Sequence, residues 1–197
     1  IKYTLKEEVL CMMSEEFLSS DLNIAFYGSG CTVEKIPVMR NILAEVFSLS
    51  LQNVEVAGDL LGAARAVCGH ESGIACILGT GANSCLYDGK EITANTPPLG
   101  YILGDEGSGA VLGKRFMNGI FKGWIPERIK DMYLKETNQT YSSIISKVYT
   151  EPLANRYLAT VSKFVGGHID EEPLRKLVKD NFSDFMKYNI LPYNEIR

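Results

Sequence analysis

Hydrophobic and polar positions in the first seventy residues follow helical and strand spacings in turn. Apolar residues at helical spacing predict a first helix over 4–18, at Leu5, Val9, Leu10, Met13 and Phe17. Further segments are predicted as a strand over 22–27, a helix over 34–47, a strand over 54–57 and an alanine-rich helix over 60–67. This alternation is typical of an α/β layer with parallel strands.

The pattern changes near residue 70, where three short strands replace the alternation. Residues 74–78 are almost wholly apolar, which predicts a strand covered on both faces. A glycine turn leads into a strand over 83–87, and Asp88-Gly89 predicts a tight hairpin into a third strand over 90–94. We therefore expect an antiparallel meander, and we place a domain boundary here, between residues 1–70 and 71–197.

Beyond about residue 105 the apolar residues have helical spacing throughout. The last predicted helix is the clearest, because Pro173 lies in its first turn behind two glutamates whose charge favours a helix N-terminus. Its apolar face is formed by Leu174, Leu177, Val178, Phe182, Phe185 and Met186. The sequence thus predicts an α/β protein with a helix-rich C-terminal part.

Composition narrows the class of protein. The chain has 197 residues, 46% of them hydrophobic, and a formal net charge of −4, which indicates a globular protein without a broad basic face for nucleic acid or anionic lipid. No apolar run reaches the roughly 20 residues that span a bilayer. Five cysteines without a C-x-x-C pair argue against a disulfide framework or a structural metal site. We expect a cytoplasmic protein in which Cys76 and Cys85 are small core residues.

Two short segments of the first half carry candidate chemistry. Gly79-Thr80-Gly81 is a glycine turn between strands, whose backbone N–H groups and threonine hydroxyl can approach an anion. The alternative is an ordinary hairpin whose glycines only supply positive φ. Asp59 lies where a strand is predicted to end and a helix to begin. A carboxylate there either caps the helix or acts as a general base in a ligand crevice.

A third candidate is the segment 98–109, in which Asp105 and Glu106 are followed by Gly-Ser-Gly at a predicted helix start. Amides and acids converge there at one positive helix end. Small residues for close helix packing are the alternative. However, four glycines within ten residues cost chain entropy that stability alone rarely requires, so a functional role is favoured.

Taken together, these motifs resemble the N-acetylglucosamine kinase / BadF-BadG-BcrA-BcrD ATPase family, which belongs to the sugar kinase, heat-shock ATPase and actin superfamily. The resemblance is carried by Gly79-Thr80-Gly81-Ala82-Asn83 and, after a short span, by residues 100–108, which read Gly-Tyr-Ile-Leu-Gly-Asp-Glu-Gly-Ser. The second motif is highly specific. Similarity is strong over residues 24–113.

The resemblance implies two RNase H-like (actin-like ATPase) domains with ATP and a sugar in the cleft between them. It implies that the Gly79-Thr80-Gly81 turn contacts the β- and γ-phosphates, and that Asp59 takes the proton from the attacking sugar hydroxyl. It also implies that Asn83, Gly100 and Asp105 bind the sugar. Backbone amides and Mg²⁺ would neutralise the phosphate charge, and no residue of the chain is assigned as a metal ligand.

Three features depart from the family pattern. The first phosphate turn, an Asp-Gly-Gly-Ser-Thr-Lys-like hairpin, has no counterpart, and the later glycine-rich adenosine segment is absent after Asn189. Because the chain also begins at Ile1, we expect the middle of a longer protein with both domains incomplete. Leu99 stands where the animal amino-sugar kinases of the family carry a tryptophan. Stacking on one sugar face is therefore lost, and the identity of the sugar stays open.

The expected function is that of an ATP-dependent kinase acting on N-acetylglucosamine or a related amino sugar. One alternative is an ATPase of the same family that activates a radical dehydratase or reductase through an iron–sulfur cluster shared across a dimer. The Cys-Ala-Ala-Gly-Thr-Gly-type segment of such activators is not present here. The other alternative is a non-catalytic nucleotide-binding regulator. A homodimer stays open.

Overall fold

The N-terminal layer pairs two parallel strands with helices, as the sequence predicts. The computed structural model describes residues 1–14 and 21–195. The chain begins with α1 (Lys2–Thr4), a π-helical segment (Leu5–Val9) and a 3-10 turn (Leu10–Met12). Helical conformation ends there, because Met13 is extended. Residues 15–18 of the helix predicted over 4–18, including Phe17, lie outside the described residues.

The two strands of this layer are β1 (Ile24–Gly28) and β2 (Val54–Gly58), parallel and in register from Ile24 opposite Val54 to Gly28 opposite Gly58. Between them lies α2 (Ile36–Val46), with Pro37 in its first turn, and α3 (Asp59–Cys68) follows β2. Apolar residues of α2 pack on β2 and form a small core: Met39, Leu43, Ala44, Val54 and Val56. The predicted α/β alternation is confirmed.

The second sheet contains β3 (Gly73–Leu78), β4 (Ala82–Tyr87) and β5 (Ile92–Ala94), antiparallel and in that spatial order. The meander is confirmed, but the predicted two-residue hairpin is wrong. Asp88 Oδ1 accepts hydrogen bonds from the backbone N–H groups of Lys90 and Glu91, both at 2.8 Å. This side-chain turn extends the loop to four residues, so β5 begins at Ile92 rather than at Lys90.

The apolar run of β3 does not produce a strand covered on both faces. Ala75 is fully buried, whereas Ile74, Cys76 and Leu78 on the opposite face are exposed. The expectation for Cys76 as a core residue is therefore wrong, and the one for Cys85 is confirmed by its complete burial. Alternation of burial along β3 follows from the pleat, since only one face packs on α3.

Helix α3 joins the two sheets. Leu60 and Ala64 of α3 share a buried cluster with Ala75, Cys85 and Tyr87 of the second sheet, and α3 also contacts both β1 and β2. The last helix before the expected boundary at residue 70 is thus part of the core of the meander that follows it. The division into 1–70 and 71–197 stays a prediction.

Helices occupy the rest of the described chain. Their bounds are α4 (Gly100–Leu103), α5 (Gly109–Lys122), α6 (Glu127–Thr137), α7 (Tyr141–Tyr149), α8 (Ala154–Gly167) and α9 (Glu172–Phe185). The chain then continues through two C-terminal turns, Met186–Ile190 and Leu191–Glu195. None of the described helices is long and apolar enough to cross a bilayer.

The largest core lies between α5 and α8, which are the most closely packed helices. At its centre, the ring of Phe116 lies 5.1 Å from that of Tyr133 and 5.5 Å from that of Phe164. The predicted apolar face of α9 is only partly buried, because Phe182 and Met186 are exposed while Leu174, Leu177 and Phe185 are not. Phe182 instead lines a cavity beside the glycine turn.

Candidate active site

Gly79, Thr80 and Gly81 form the turn between β3 and β4, and this turn is fixed to the start of α5. The carbonyl of Gly79 accepts from the N–H of Gly109 at 2.8 Å, and that of Thr80 accepts from Ala110 at 3.1 Å. The Ser108 hydroxyl caps α5 by accepting a hydrogen bond from the next backbone N–H, that of Val111, at 3.1 Å. The first amides of this helix are therefore all used within the protein. The amides at this helix end therefore hold the turn in place.

The outer side of the turn has the opposite character. Among the described residues, nothing accepts a hydrogen bond from the backbone N–H of Thr80 or Gly81. Neither Gly79 nor Gly81 has a positive φ, so the interpretation that the glycines only supply that conformation is wrong. A Cβ on Gly81 would lie 2.9 Å from Asp105 Oδ2. A Cβ on Gly79 would meet no described atom within 4 Å, so neither packing nor backbone conformation requires glycine there.

Asp105 lies directly against the turn. It is only 9% exposed, and its backbone adopts the left-handed conformation with φ +57°. Burial raises the pKa of the Asp105 carboxyl, and the nearby charge of Glu106 adds to the rise. The backbone N–H groups of Ala82 and Gly100 donate to the carboxyl and oppose that rise, as does the charge of Lys114. The structure thus brings Asp105, Gly100 and the turn together.

Gly100 is placed by a sharp bend in the loop that precedes Asp105. Leu99 and Gly100 are both left-handed, with φ +63° and +75°. The loop closes because the N–H of Asp105 donates to Pro98 O at 2.8 Å and that of Gly104 to Gly100 O at 2.7 Å. A non-glycine residue in the left-handed conformation is uncommon and costs free energy. The two hydrogen bonds that close the loop hold Leu99 in that conformation. Leu99 is largely exposed at this bend.

Asn83 follows the turn on β4. Its Oδ1 accepts hydrogen bonds from the N–H of Ser84 and from Asn95 Nδ2, both at 2.9 Å. Its own Nδ2 group has no acceptor among residues 1–14 and 21–195, and it is half-buried. Asn95 was not identified from the sequence. Its position directly after β5, where the meander ends, is the feature that indicates it.

Asp59 is the first residue of α3, directly after β2. Its Oδ1 accepts from the N–H of Leu60 at 3.0 Å, while Gly58 occupies the N-cap position. At the other end of α3, Tyr87 Oη donates to Gly69 O at 3.3 Å. The hydrogen bond that the structure describes for the Asp59 side chain lies within α3, so the place of Asp59 relative to the turn stays a prediction.

A second polar group, which sequence reasoning missed, lies behind β4. We call it the C-terminal polar cluster, and it comprises Ser84, Thr96, Glu106, Asn189 and Tyr193. Ser84 Oγ donates to Asn189 O at 3.0 Å and pairs with Tyr193 Oη at 2.9 Å. Tyr193 Oη also accepts from the N–H of Thr96 at 2.9 Å, and Asn189 Nδ2 donates to Glu106 Oε2 at 3.3 Å. These bonds tie the C-terminal turns to β4 and to the segment that carries Asp105.

Two solved structures resemble the chain over most of its length. A protein from Porphyromonas gingivalis with the provisional name N-acetylglucosamine kinase is 48% identical with a TM-score of 0.91, and the match covers 98% of this chain and 68% of that one. A protein from Chromobacterium violaceum with the same provisional name is 20% identical with a TM-score of 0.61, covering 83% and 58%. At that identity the second likeness shows the fold alone. No protein-family model and no curated protein matches the chain.

The likeness to the P. gingivalis protein is close enough to define a class. The fold is that of an actin-like ATPase, with mixed α/β layers. The chain belongs to the N-acetylglucosamine kinase / BadF-BadG-BcrA-BcrD ATPase family, which confirms the resemblance inferred from its glycine motifs.

Proposed function

We propose that the protein containing this chain is an ATP-dependent sugar kinase, which transfers the γ-phosphate to a hydroxyl of N-acetylglucosamine or a related amino sugar. The observation that carries the proposal is the turn itself. It presents two unbonded N–H groups, is fixed from behind by α5, and lies against the carboxyl of Asp105. The provisional name of the P. gingivalis protein supports the same reaction. We further propose that the site lies in a cleft between two domains that meet near residue 70.

In this proposal, the Gly79-Thr80-Gly81 turn binds the β- and γ-phosphates of ATP. Unbonded amides at fixed positions are suited to phosphate oxygens, because they stabilise developing negative charge without rearranging. The open side of Gly79 leaves room for a phosphate to approach the backbone closely. The described residues contain no group of three or more metal-ligating side chains, so Mg²⁺ would be held chiefly by the phosphates and water. There it would neutralise charge during transfer.

The sugar would be held by Asn83, Gly100 and Asp105. The free Nδ2 group of Asn83 can donate to a sugar hydroxyl oxygen, and ionised Asp105 can accept from a hydroxyl. Because Leu99 is exposed and aliphatic, this loop offers an apolar contact without aromatic stacking. The set selects a polyhydroxylated ligand rather than a particular sugar.

Asp59 would serve as the base. The attacking hydroxyl oxygen forms a bond to the γ-phosphorus, the bond from that phosphorus to the bridging oxygen of the β-phosphate breaks, and ADP leaves. The hydroxyl proton passes to the Asp59 carboxylate. Its place at the start of α3, directly after the carboxyl end of the parallel strand β2, supports this role.

A coupled ADP-release assay of the full-length protein against a panel of sugars and amino sugars tests the proposal. We expect ADP release to rise with one sugar class in the panel and to stay low without sugar. Nucleotide binding without sugar-stimulated release would instead indicate a regulator. Bound iron and a visible chromophore in the purified protein would indicate a radical-enzyme activator.

A further inference from the structure

The loop from residue 99 to residue 105 carries two of the proposed sugar ligands, Gly100 and Asp105. Three of its residues have a left-handed backbone: Leu99, Gly100 and Asp105. A strained segment of this kind keeps its shape only where surrounding contacts over-determine it. The two backbone hydrogen bonds described above close this loop on itself, so its position on the helical part of the protein depends on other contacts.

Lys114 of α5 supplies one of those contacts. Its Nζ donates a hydrogen bond to Tyr101 O at 2.8 Å, and the side chain of Tyr101 packs against the main core. No carboxylate pairs with Lys114 among residues 1–14 and 21–195, so its ammonium group is directed at a main-chain carbonyl. Ordering a long lysine side chain costs conformational entropy. Here that cost is spent on joining the loop to α5.

The same helix also holds the glycine turn. The first two amides of α5, those of Gly109 and Ala110, donate to the turn, and Lys114 lies in the second turn of the helix. Helix α5 therefore fixes both the proposed phosphate site and the proposed sugar loop, through different residues. The two attachments can be tested separately, because the first uses backbone amides and the second uses one side chain.

Lys114 also contributes a positive charge that acts on the Asp105 carboxyl. β4 and the loop face this carboxyl with the N–H groups of Ala82 and Gly100, the glycine turn has no titratable side chain, and the adjacent Glu106 opposes Lys114 with a negative charge. Without Lys114, burial and Glu106 would raise the pKa of Asp105 further. Because an ionised carboxyl is the better acceptor for a sugar hydroxyl, the lysine favours the form that sugar binding needs.

We propose that Lys114 is a positioning residue of the sugar site, which holds the loop of Gly100 and Asp105 on α5 and places a positive charge near the Asp105 carboxyl. The inference rests on the proposed function, because that function places the sugar on this loop. Lys114 acts through Gly100 and Asp105 rather than through contact with the sugar. Its loss should therefore affect the sugar and leave phosphate binding intact.

Steady-state kinetics of the full-length protein, with N-acetylglucosamine or the sugar of the panel that it phosphorylates fastest, test the assignment. In Lys114→Met, we expect KM for the sugar to rise about 3- to 10-fold with little change in kcat, because a ground-state contact is weakened. The acid limb of the kcat/KM profile should move to higher pH. Pyrophosphate affinity measured by calorimetry should be unchanged. Lys114→Arg keeps the charge and a donor, and should return the acid limb to its original position.

Lys122→Met, at an exposed position of the same helix, is the matched control and should alter neither the sugar KM nor the pH profile. Three results would overturn the assignment and leave the kinase proposal in place. These are an acid limb that does not move in Lys114→Met, equal weakening of sugar and pyrophosphate binding, and the same shift of the acid limb in Lys122→Met. An unmodified protein that releases ADP with no sugar of the panel would overturn both proposals.

Discussion

The two polar regions on either side of β4 differ in how completely their hydrogen-bonding groups are satisfied. In the C-terminal polar cluster, the hydroxyls of Ser84 and Tyr193 and the side chain of Asn189 all have protein partners. Around the glycine turn, the amides of Thr80 and Gly81 and the Nδ2 group of Asn83 have none among the described residues. Buried and half-buried polar groups are normally paired, and the first region follows this rule, so its hydrogen bonds contribute to the stability of the fold. The second leaves donors free, as the proposed ligand site requires.

The largest effect should come from Asp59→Asn in the full-length protein. Removing the base should lower kcat for sugar phosphorylation by about 10²- to 10⁴-fold, because the hydroxyl proton loses its acceptor. ADP affinity measured by calorimetry should be unchanged, since Asp59 is not expected to touch the nucleotide. Asp131→Asn, at an exposed position on α6, is the control and should retain full activity. Unchanged turnover in the Asp59 variant would remove this residue from the mechanism.

Two alanine substitutions within the turn should behave differently. Gly79→Ala should leave the melting temperature unchanged, since its Cβ meets no described atom, but should weaken ADP and pyrophosphate binding at least tenfold, roughly 1.4 kcal/mol. Gly81→Ala should also lower the free energy of unfolding, by about 1–3 kcal/mol, because its Cβ would be forced against Asp105 Oδ2. Thermal unfolding and calorimetry measure both effects. Normal phosphate binding by Gly79→Ala would contradict the assignment of the turn.

Tyr193→Phe probes the satisfied region. The change removes a hydroxyl that bonds to both Ser84 and Thr96, so the free energy of unfolding should fall by about 1–2 kcal/mol. Pyrophosphate affinity should stay the same. Tyr188→Phe, at an exposed neighbouring tyrosine, is the control for urea denaturation and should be neutral. A selective loss of pyrophosphate binding in Tyr193→Phe, without loss of stability, would show that the two regions do not divide the roles.

The smallest effect should come from Glu106→Gln, which keeps an oxygen for Asn189 while removing one charge. That charge helps to raise the pKa of Asp105, so removing it should lower this pKa. Because sugar binding needs ionised Asp105, the acid limb of the kcat/KM profile for sugar should move to lower pH. Glu136→Gln, on α6 beside His168, is the control and should leave the profile in place. A shift toward higher pH would contradict the arrangement around Asp105.

A linked expectation concerns stability. Since burial raises the folded-state pKa of Asp105 above its unfolded value, the native state binds the proton more tightly. The stability that this carboxyl contributes is therefore present below the unfolded pKa and is lost as pH rises through the folded one. Replacing Glu106 by Gln should lower the folded-state pKa of Asp105, and should therefore narrow the pH range over which this stability is lost. Urea denaturation at a series of mildly acidic pH values measures the change.

Local patterns in the sequence predicted the fold well where each segment faces a single environment. The parallel pair, the meander and the helical C-terminal part follow from periodicity and from turn residues. Strand β3 shows the limit, because an unbroken apolar run is compatible with one covered face or two, and only packing decides. The same limit applies to α9, where Phe182 has helical spacing but lines a cavity rather than the core.

The candidate site was predictable where its residues are close in sequence. Gly79 to Asn83 and Gly100 to Asp105 each form one motif, so their proximity within a motif follows from chain geometry. The C-terminal polar cluster was not predictable, because its hydrogen-bonded partners lie some eighty or more residues apart and no local pattern links them. The use of the α5 amides to hold the turn was likewise hidden, since a helix start with glycines also fits a free anion site.

The bonds from Gly79 and Thr80 to α5 bear on the entropy of binding. The far side of α5 lies in the main core, around Phe116, so the position of the turn is set when the helices fold. A ligand then meets donors that are already ordered, and it avoids the roughly 0.5–1.5 kcal/mol per side chain that immobilising a flexible loop costs on association. Anything that shifts α5 along its axis would displace both amides together, which makes phosphate affinity a sensitive reporter of how the helical core is packed.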